Sequence, residues 1–179
     1  MFQISRSTPA YYLTAVAHHR LPIFRSDALK QILCDAYAEA RRNHGILILA
    51  YVMMLDHVHL LIRSEKEMSE AIRLVNGISA RRVIQYLKKG GYETSLLKLR
   101  GEVRDRNHKH SVWQHHPDSL EIYGEDTFRQ KLQYIHQNPV RAEFVTKAED
   151  YRYSSARQWA GRPCEGEPLL TDHDRIDWR

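Results

Sequence analysis

The sequence has few cysteines and no long apolar run, and both absences narrow the class of protein. Cys34 and Cys164 are the two cysteines among 179 residues; they stand far apart and do not form a metal-type pair. We therefore expect no disulfide framework, and we expect the protein to be in a reducing compartment. No stretch approaches the roughly 20 apolar residues of a membrane span, and the first residues, MFQISRSTPAYYLTAV, lack the layout of a signal peptide. We expect a cytoplasmic protein that has no membrane partner.

The positive charge is concentrated in one segment of an otherwise ordinary globular composition. The net charge is +5, whereas the segment from Arg73 to Lys109 alone carries +7, so the remainder of the chain carries −2. Such a segment is expected of a face that binds nucleic-acid phosphates, although a solvated basic helix and loop remain an alternative. The candidate DNA contacts are Arg73, Arg81, Arg82, Lys88, Lys89, Lys98, Arg100, Arg104, Arg106 and Lys109.

The hydrophobic pattern predicts a strand, a helix, two strands, a second helix and a fourth strand. This order describes a ferredoxin-like α+β fold, in which an antiparallel sheet has helices on one face and leaves the other face free. Residues 92–111 are polar and basic, as in a mobile loop. The fourth strand is expected at 111–114 and in part of the following stretch, although Pro117 breaks its pattern. The other predicted elements are strands 10–17, 46–54 and 57–63 and helices 27–44 and 67–89.

The last third of the chain predicts one more helix and a tail. The helix begins at Asp126 or Thr127 and runs through Asn138, where Pro139 is expected to close it because a residue before proline avoids the helical region. We assign residues 1–161 to one domain. Residues 162–179 are rich in proline, glycine and charge, so we expect a polar C-terminal tail outside the core.

Two histidines interrupt an apolar strand in the stretch DHVHLLI. Side chains alternate along a strand, so His57 and His59 share one face while Val58, Leu60 and Ile62 point to the other and pack under the helices. Two imidazoles at this spacing can reach one metal ion. Two hydrogen-bonded surface histidines are the alternative interpretation.

A second candidate group lies on the third helix, in the stretch FRQKLQYIHQNPVRAEF. Phe128, Leu132 and Ile135 form its apolar stripe, and Tyr134 and Asn138 are neighbours on one flank because they are four residues apart. A phenol and an amide oxygen would project together from this helix. An amphipathic tyrosine at the rim of the core, followed by an asparagine that ends the helix, is the alternative.

Taken together, these motifs resemble a known family. DHVHLLI, the VWQ at 112–114, YIHQNPVRA and DYRYSSA are similar, in order and spacing, to the single-tyrosine HUH transposases, and most of all to the branch of REP-associated tyrosine transposases. The resemblance covers residues 11–159. It implies an HUH-type fold, a metal-binding pair at His57 and His59, a third, amide-oxygen ligand at Asn138 and a tyrosine nucleophile at Tyr134.

The resemblance also implies an activity. It predicts metal-dependent cleavage and rejoining of single-stranded DNA, at hairpins, through a 5′-phosphotyrosine intermediate, with the basic segment on the DNA backbone. Two imidazoles and one oxygen suit Mg²⁺ or Mn²⁺. The expected partners are single-stranded DNA and DNA hairpins, and a monomer is preferred to a dimer. Two departures from the family pattern are Glu143, where relatives often have glycine, and the stretch 115–124.

Other interpretations stay open at this stage. One is a non-catalytic binder of single-stranded or hairpin DNA on the same fold. Another is a metal-dependent hydrolase of a small phosphorylated molecule, which would need a carboxylate ligand, and Asp56 is the only acid close to the pair. Asp56 is otherwise expected to shape the turn, and the orientation of a histidine is the alternative role. We expect His115, His116 and His136 to contact DNA or to be structural.

Overall fold

The structure, a computed structural model, describes residues 1–100 and 110–178. Four strands form one sheet in the order β2-β3-β1-β4, and each neighbouring pair is antiparallel. This arrangement confirms the predicted ferredoxin-like α+β fold. The elements are β1 (Ala10–Val16), α1 (Asp27–His44), β2 (Leu47–Met53), β3 (His57–Arg63), α2 (Met68–Lys89), α3 (Glu93–Lys98), β4 (Asp118–Ile122), α4 (Glu125–Arg141) and α5 (Ala156–Trp159).

Helices α1 and α2 cover one face of the sheet and build the larger core. The hydroxyl of Ser26 caps α1 by accepting from the backbone N–H of Leu29, and Gly45 ends the helix with a φ of 67°. Val58, Leu60 and Ile62 of β3 lie in this core, as the alternation of the strand predicts. The two histidines of β3 therefore belong to the opposite face.

The opposite face of the sheet was expected to be free, but α4 packs on part of it. Phe128 and Ile135 of α4 share a second core with Tyr12 of β1, Val52 of β2 and Leu61 of β3. The apolar stripe predicted for this helix therefore has a partner in the sheet. Its packing holds α4 over the strand that carries the histidines.

Two predicted boundaries are wrong, and proline is involved in both. The fourth strand begins at Asp118 rather than near 111–114, because Pro117 has no N–H to donate to a ladder. Trp113 instead forms a single bridge with Ala17. Helix α4 continues past Pro139 to Arg141, and the N–H of Ala142 donates to the carbonyl of Asn138.

The expected loop at 92–111 contains α3, a short helix that buries Leu96. Residues 101–109 of the expected loop lie outside the described residues. Of the helices that the structure describes in 1–100 and 110–178, none is long and apolar enough to cross a membrane.

The expectation that residues 162–179 lie outside the core is wrong. Leu169 and Ile176 are buried, one in each core. The carboxylate of Asp172 accepts from the backbone N–H of Ile48 at 3.0 Å and pairs with Arg41 at 2.9 Å. The polar composition of this segment did not predict these contacts, because some of its polar groups form hydrogen bonds with strand β2.

Candidate active site

Strand β3 places two imidazole rings side by side under α4. The ring centroids of His57 and His59 are 4.9 Å apart. His57 is half-buried at the beginning of the strand, whereas His59 is 4% exposed. The pair therefore presents one ring close to solvent and one within the protein.

The neighbouring carboxylate orients the first histidine. Nδ1 of His57 lies 2.6 Å from Oδ1 of Asp56, and Arg20 approaches the same carboxylate at 3.4 Å. Since a carboxylate only accepts, Nδ1 carries the hydrogen and Nε2 keeps its lone pair. Asp56 therefore contacts a histidine, which is the alternative that the sequence left open beside the preferred role in the turn.

Two hydroxyl groups of β1 orient the second histidine. Thr14, the cross-strand partner of His59, has its Oγ1 2.9 Å from Nδ1 of His59, and the hydroxyl of Tyr12 lies 3.0 Å from the same nitrogen. The Thr14 hydroxyl donates to the Tyr12 oxygen at 3.0 Å, so it can accept from Nδ1–H. When Nδ1–H donates to Thr14, the lone pair of the neutral ring lies on Nε2.

Within residues 1–100 and 110–178, no group forms a hydrogen bond of ordinary geometry with the buried Nε2 of His59, although the Asn138 side chain lies close enough to affect the ring. Burial lowers the pKa of His59 to about 3, the nearby His57 lowers it further, and the amide of Asn138 opposes the fall. The ring is therefore neutral at physiological pH, the state in which an imidazole binds a metal. A buried, unpaired nitrogen is costly in a folded protein, and such an atom is often explained by an absent ligand.

Helix α4 brings the phenol and the amide to the same place. The ring centroid of Tyr134 lies 5.3 Å from that of His59, in an edge-on arrangement, and 6.4 Å from that of Tyr12. Tyr134 is 39% exposed. The amide nitrogen of Asn138 donates to the carbonyl of Tyr134 at 2.9 Å, so its oxygen is left for another partner.

These donors fit a divalent cation. His57 and His59 each offer Nε2, and Asn138 offers an amide oxygen, a set that suits Mn²⁺ and tolerates Mg²⁺. In residues 1–100 and 110–178 no group of three or more His, Cys, Asp or Glu side chains could hold a metal ion.

Comparison with known proteins identifies the family of this chain. A model of the family described as "Transposase IS200 like" matches residues 5–138, a range that contains both histidines and Tyr134 and ends at Asn138. This chain belongs to the IS200-like transposase family. The family consists of enzymes that process DNA.

Two further proteins resemble this IS200-like transposase over most of its length. A Haemophilus influenzae protein with the name "Putative REP-associated tyrosine transposase" is 24% identical over 166 residues, which cover 86% of this chain and 88% of that protein. A solved REP-associated tyrosine transposase, bound to a REP hairpin, has a TM-score of 0.61 at 16% identity; the match covers 97% of this chain and 90% of that one. At this identity the structural likeness shows the shared fold.

The candidate DNA contacts of this transposase lie mostly on the helical side of the sheet. Arg81 and Arg82 of α2 both contact Glu39 of α1, at 2.5 and 2.6 Å, so part of their charge is neutralised. Arg104, Arg106 and Lys109 lie outside the described residues. The remaining candidates are exposed: Arg73, Lys88, Lys89, Lys98 and Arg100.

Sequence reasoning missed several residues around the two histidines and Tyr134. Lys131 and Arg141 both approach the ring of Tyr134, and their spacing of three and seven residues from it on α4 was a readable signal. Tyr12 and Thr14 had no such signal, because only the register between β1 and β3 places them beside His59. His136 is structural in character, since its Nε2 lies 2.9 Å from Oγ of Ser155, while His115 and His116 are exposed.

Proposed function

We propose that this IS200-like transposase cleaves and rejoins single-stranded DNA through a 5′-phosphotyrosine intermediate on Tyr134. The observation that carries the proposal is the meeting of a strand and a helix that are distant in sequence. Tyr134 of α4 lies 5.3 Å from His59 of β3, between ring centroids, and is the more exposed of the two tyrosines near that ring.

In the proposed first step the Tyr134 oxygen attacks a phosphodiester and gives up its proton. The bond between phosphorus and the 3′ oxygen breaks, and that oxygen takes a proton to become a free 3′ hydroxyl. Rejoining reverses the step with a 3′ hydroxyl as the nucleophile, and the phenol is released. The phosphoester bond is exchanged rather than hydrolysed, so no nucleotide cofactor is required.

The buried surroundings of His59 support a metal-dependent version of this reaction. His57, His59 and Asn138 would hold Mg²⁺ or Mn²⁺, which supplies Lewis-acid stabilisation of the charge that develops on the phosphate. Asp56 and the two hydroxyls of β1 contact the Nδ1 nitrogens, so both Nε2 nitrogens are left for the metal. Because Tyr134 is exposed, a DNA strand can approach it from solvent.

A DNA hairpin with a single-stranded flank is the substrate that we propose. The family membership supports DNA as the substrate class. The solved protein of the same fold was bound to a REP hairpin, which supports the hairpin form. We further propose that the protein acts as a monomer in the cytoplasm, and that the exposed cations of α2 and α3 contact the DNA backbone.

The decisive experiment is an adduct assay. The protein is incubated with Mn²⁺ and a single-stranded DNA that carries a hairpin from DNA flanking its gene, and the products are separated under denaturing conditions. We expect a covalent protein–DNA adduct that disappears in Tyr134→Phe and on chelation of the metal. Tyr123→Phe is the matched control, since Tyr123 is also an exposed tyrosine, and it should keep the adduct.

An adduct that survives in Tyr134→Phe would remove this residue from the proposed role. Salt-sensitive DNA binding without an adduct under any divalent metal would favour the alternative, a non-catalytic binder of single-stranded or hairpin DNA.

A further inference from the structure

Two cations of α4 flank the ring of Tyr134. The ammonium nitrogen of Lys131 lies 5.9 Å from the centre of this ring and 4.5 Å from the centre of the Tyr12 ring. The guanidinium carbon of Arg141 lies 5.2 Å from the centre of the Tyr134 ring. Both distances to Tyr134 are within the range of a cation–π contact.

Neither cation has a carboxylate partner within the described part of the chain, and this distinguishes them from their neighbours. Arg129, on the same helix, pairs with Glu125 at 2.5 Å. Arg81 and Arg82 of α2 pair with Glu39. Two like charges beside one ring repel each other, and an anion between them would relieve the repulsion.

The helical spacing puts both cations on the flank that carries the site. Lys131, Tyr134, Asn138 and Arg141 follow one another at intervals of three, four and three residues, so their side chains form one stripe along α4. Lys131 lies one turn before Tyr134, and Arg141 lies two turns after it. An anion that reaches the phenol is therefore bracketed by both cations.

We infer that Lys131 and Arg141 form a binding site for the phosphodiester group presented to Tyr134. The ammonium of Lys131 and the planar guanidinium of Arg141 both donate to phosphate oxygens, and the guanidinium donates in pairs. The cation–π contacts with Tyr134 and Tyr12 hold the two groups near the phenol before DNA arrives. This inference rests on the proposed function for the role of Tyr134, but it concerns binding and can be measured without cleavage.

The test removes one charge from the DNA and one from the protein. All proteins carry Tyr134→Phe, which keeps the ring and prevents adduct formation. Their affinity is measured for hairpin DNA in which a neutral methylphosphonate replaces one phosphodiester, at each position of the single-stranded flank in turn. We expect one position at which the neutral group weakens binding by about tenfold or more, as loss of a charge-assisted hydrogen bond would.

The expected signature is a coupling between that position and the two cations. In Lys131→Met and in Arg141→Met, which keep an apolar stem, the penalty at that position should shrink to less than about threefold. Lys131→Arg and Arg141→Lys should keep most of it. Arg129→Met is the matched control, because Arg129 is an exposed cation of the same helix that already has a partner, and it should keep the full penalty.

The inference would be overturned if the neutral group weakened binding equally in the Tyr134→Phe protein and in both methionine variants. It would also be overturned if no position of the single-stranded flank were sensitive to the neutral group. Thermal unfolding of each variant shows whether it is folded. The two proposals fail separately. An adduct without coupling removes the phosphate site alone, whereas coupling without an adduct under any metal removes the cleavage and leaves the phosphate site.

Discussion

Two histidines of this transposase, the buried His59 and the half-buried His136, differ in the surroundings of one ring nitrogen. Burial lowers the pKa of His59 to about 3 and that of His136 to about 4, so both rings are neutral near pH 7. Nε2 of His136 lies 2.9 Å from Oγ of Ser155, whereas Nε2 of His59 is buried and has no hydrogen bond of ordinary geometry to any residue that the structure describes. Burial alone therefore does not distinguish a structural imidazole from a candidate ligand, but the unpaired nitrogen does.

The largest expected effect comes from His59→Ala. If Nε2 of His59 is a metal ligand, adduct formation should fall by at least about 100-fold, since metal stabilisation of a phosphoryl transition state amounts to several kcal/mol. Quantified adduct formation at saturating Mn²⁺ measures this change. His136→Gln is the control and should keep adduct formation within a few-fold of the unsubstituted protein. Equal losses in the two variants would erase the distinction between the rings.

A pH series tests how the neutral ring of His136 contributes to the stability of the protein. The pKa of His136 falls from its ordinary 6.5 to about 4 on folding, so the unfolded chain binds the proton more readily between these values. The stabilising contribution of the neutral ring is complete above pH 6.5 and is lost as the pH falls towards 4. Between pH 7 and pH 5 the free energy of unfolding should drop by about 1–2 kcal/mol more in the unsubstituted protein than in His136→Gln.

Urea unfolding at each pH measures this difference. Since His59 titrates in the same direction in both proteins, it cancels in the comparison. Parallel curves for the unsubstituted protein and the variant would show that His136 does not contribute to the acid sensitivity.

The smallest expected effect comes from the hydroxyls that orient His59. In Thr14→Val the shape of the side chain is kept and the hydroxyl partner of Nδ1 is lost, while Tyr12 still contacts that nitrogen. We expect the affinity for Mn²⁺, measured by calorimetry, to fall by about tenfold, the lower end of the range for second-layer partners. Thr14→Ser should bind Mn²⁺ as the unsubstituted protein does. Equal affinities in the valine and serine variants would mean that Thr14 does not set the tautomer.

The parts of the site that sequence reasoning predicted depend on local geometry. The alternation of a strand placed both histidines on one face, and the period of a helix placed Tyr134 beside Asn138. The partners of His59 depend instead on the register of β1 against β3, which pairs Thr14 with His59. The residue pattern of one strand does not tell how that strand is aligned with another, so the positions of these hydroxyls could not be predicted.

The same limit explains the errors in the fold. The start of β4 after Pro117 follows from the missing N–H of that proline, whereas α4 continues through Pro139 because its packing on the sheet outweighs the local effect of proline. The composition of the segment after residue 161 predicts a solvated tail. Its contacts with β2 depend on a few side chains, and an average over the segment hides them.

Strand β2 is at the border of the sheet, and later parts of the chain cover its outer side. Ile48 exchanges two hydrogen bonds with Asp172, and the N–H of Tyr51 donates to Ser155. A chain truncated after residue 161 would expose the N–H and C=O of Ile48 on an unprotected, strongly apolar strand. Such a strand edge recruits strands from other molecules, so we expect this truncation to promote self-association.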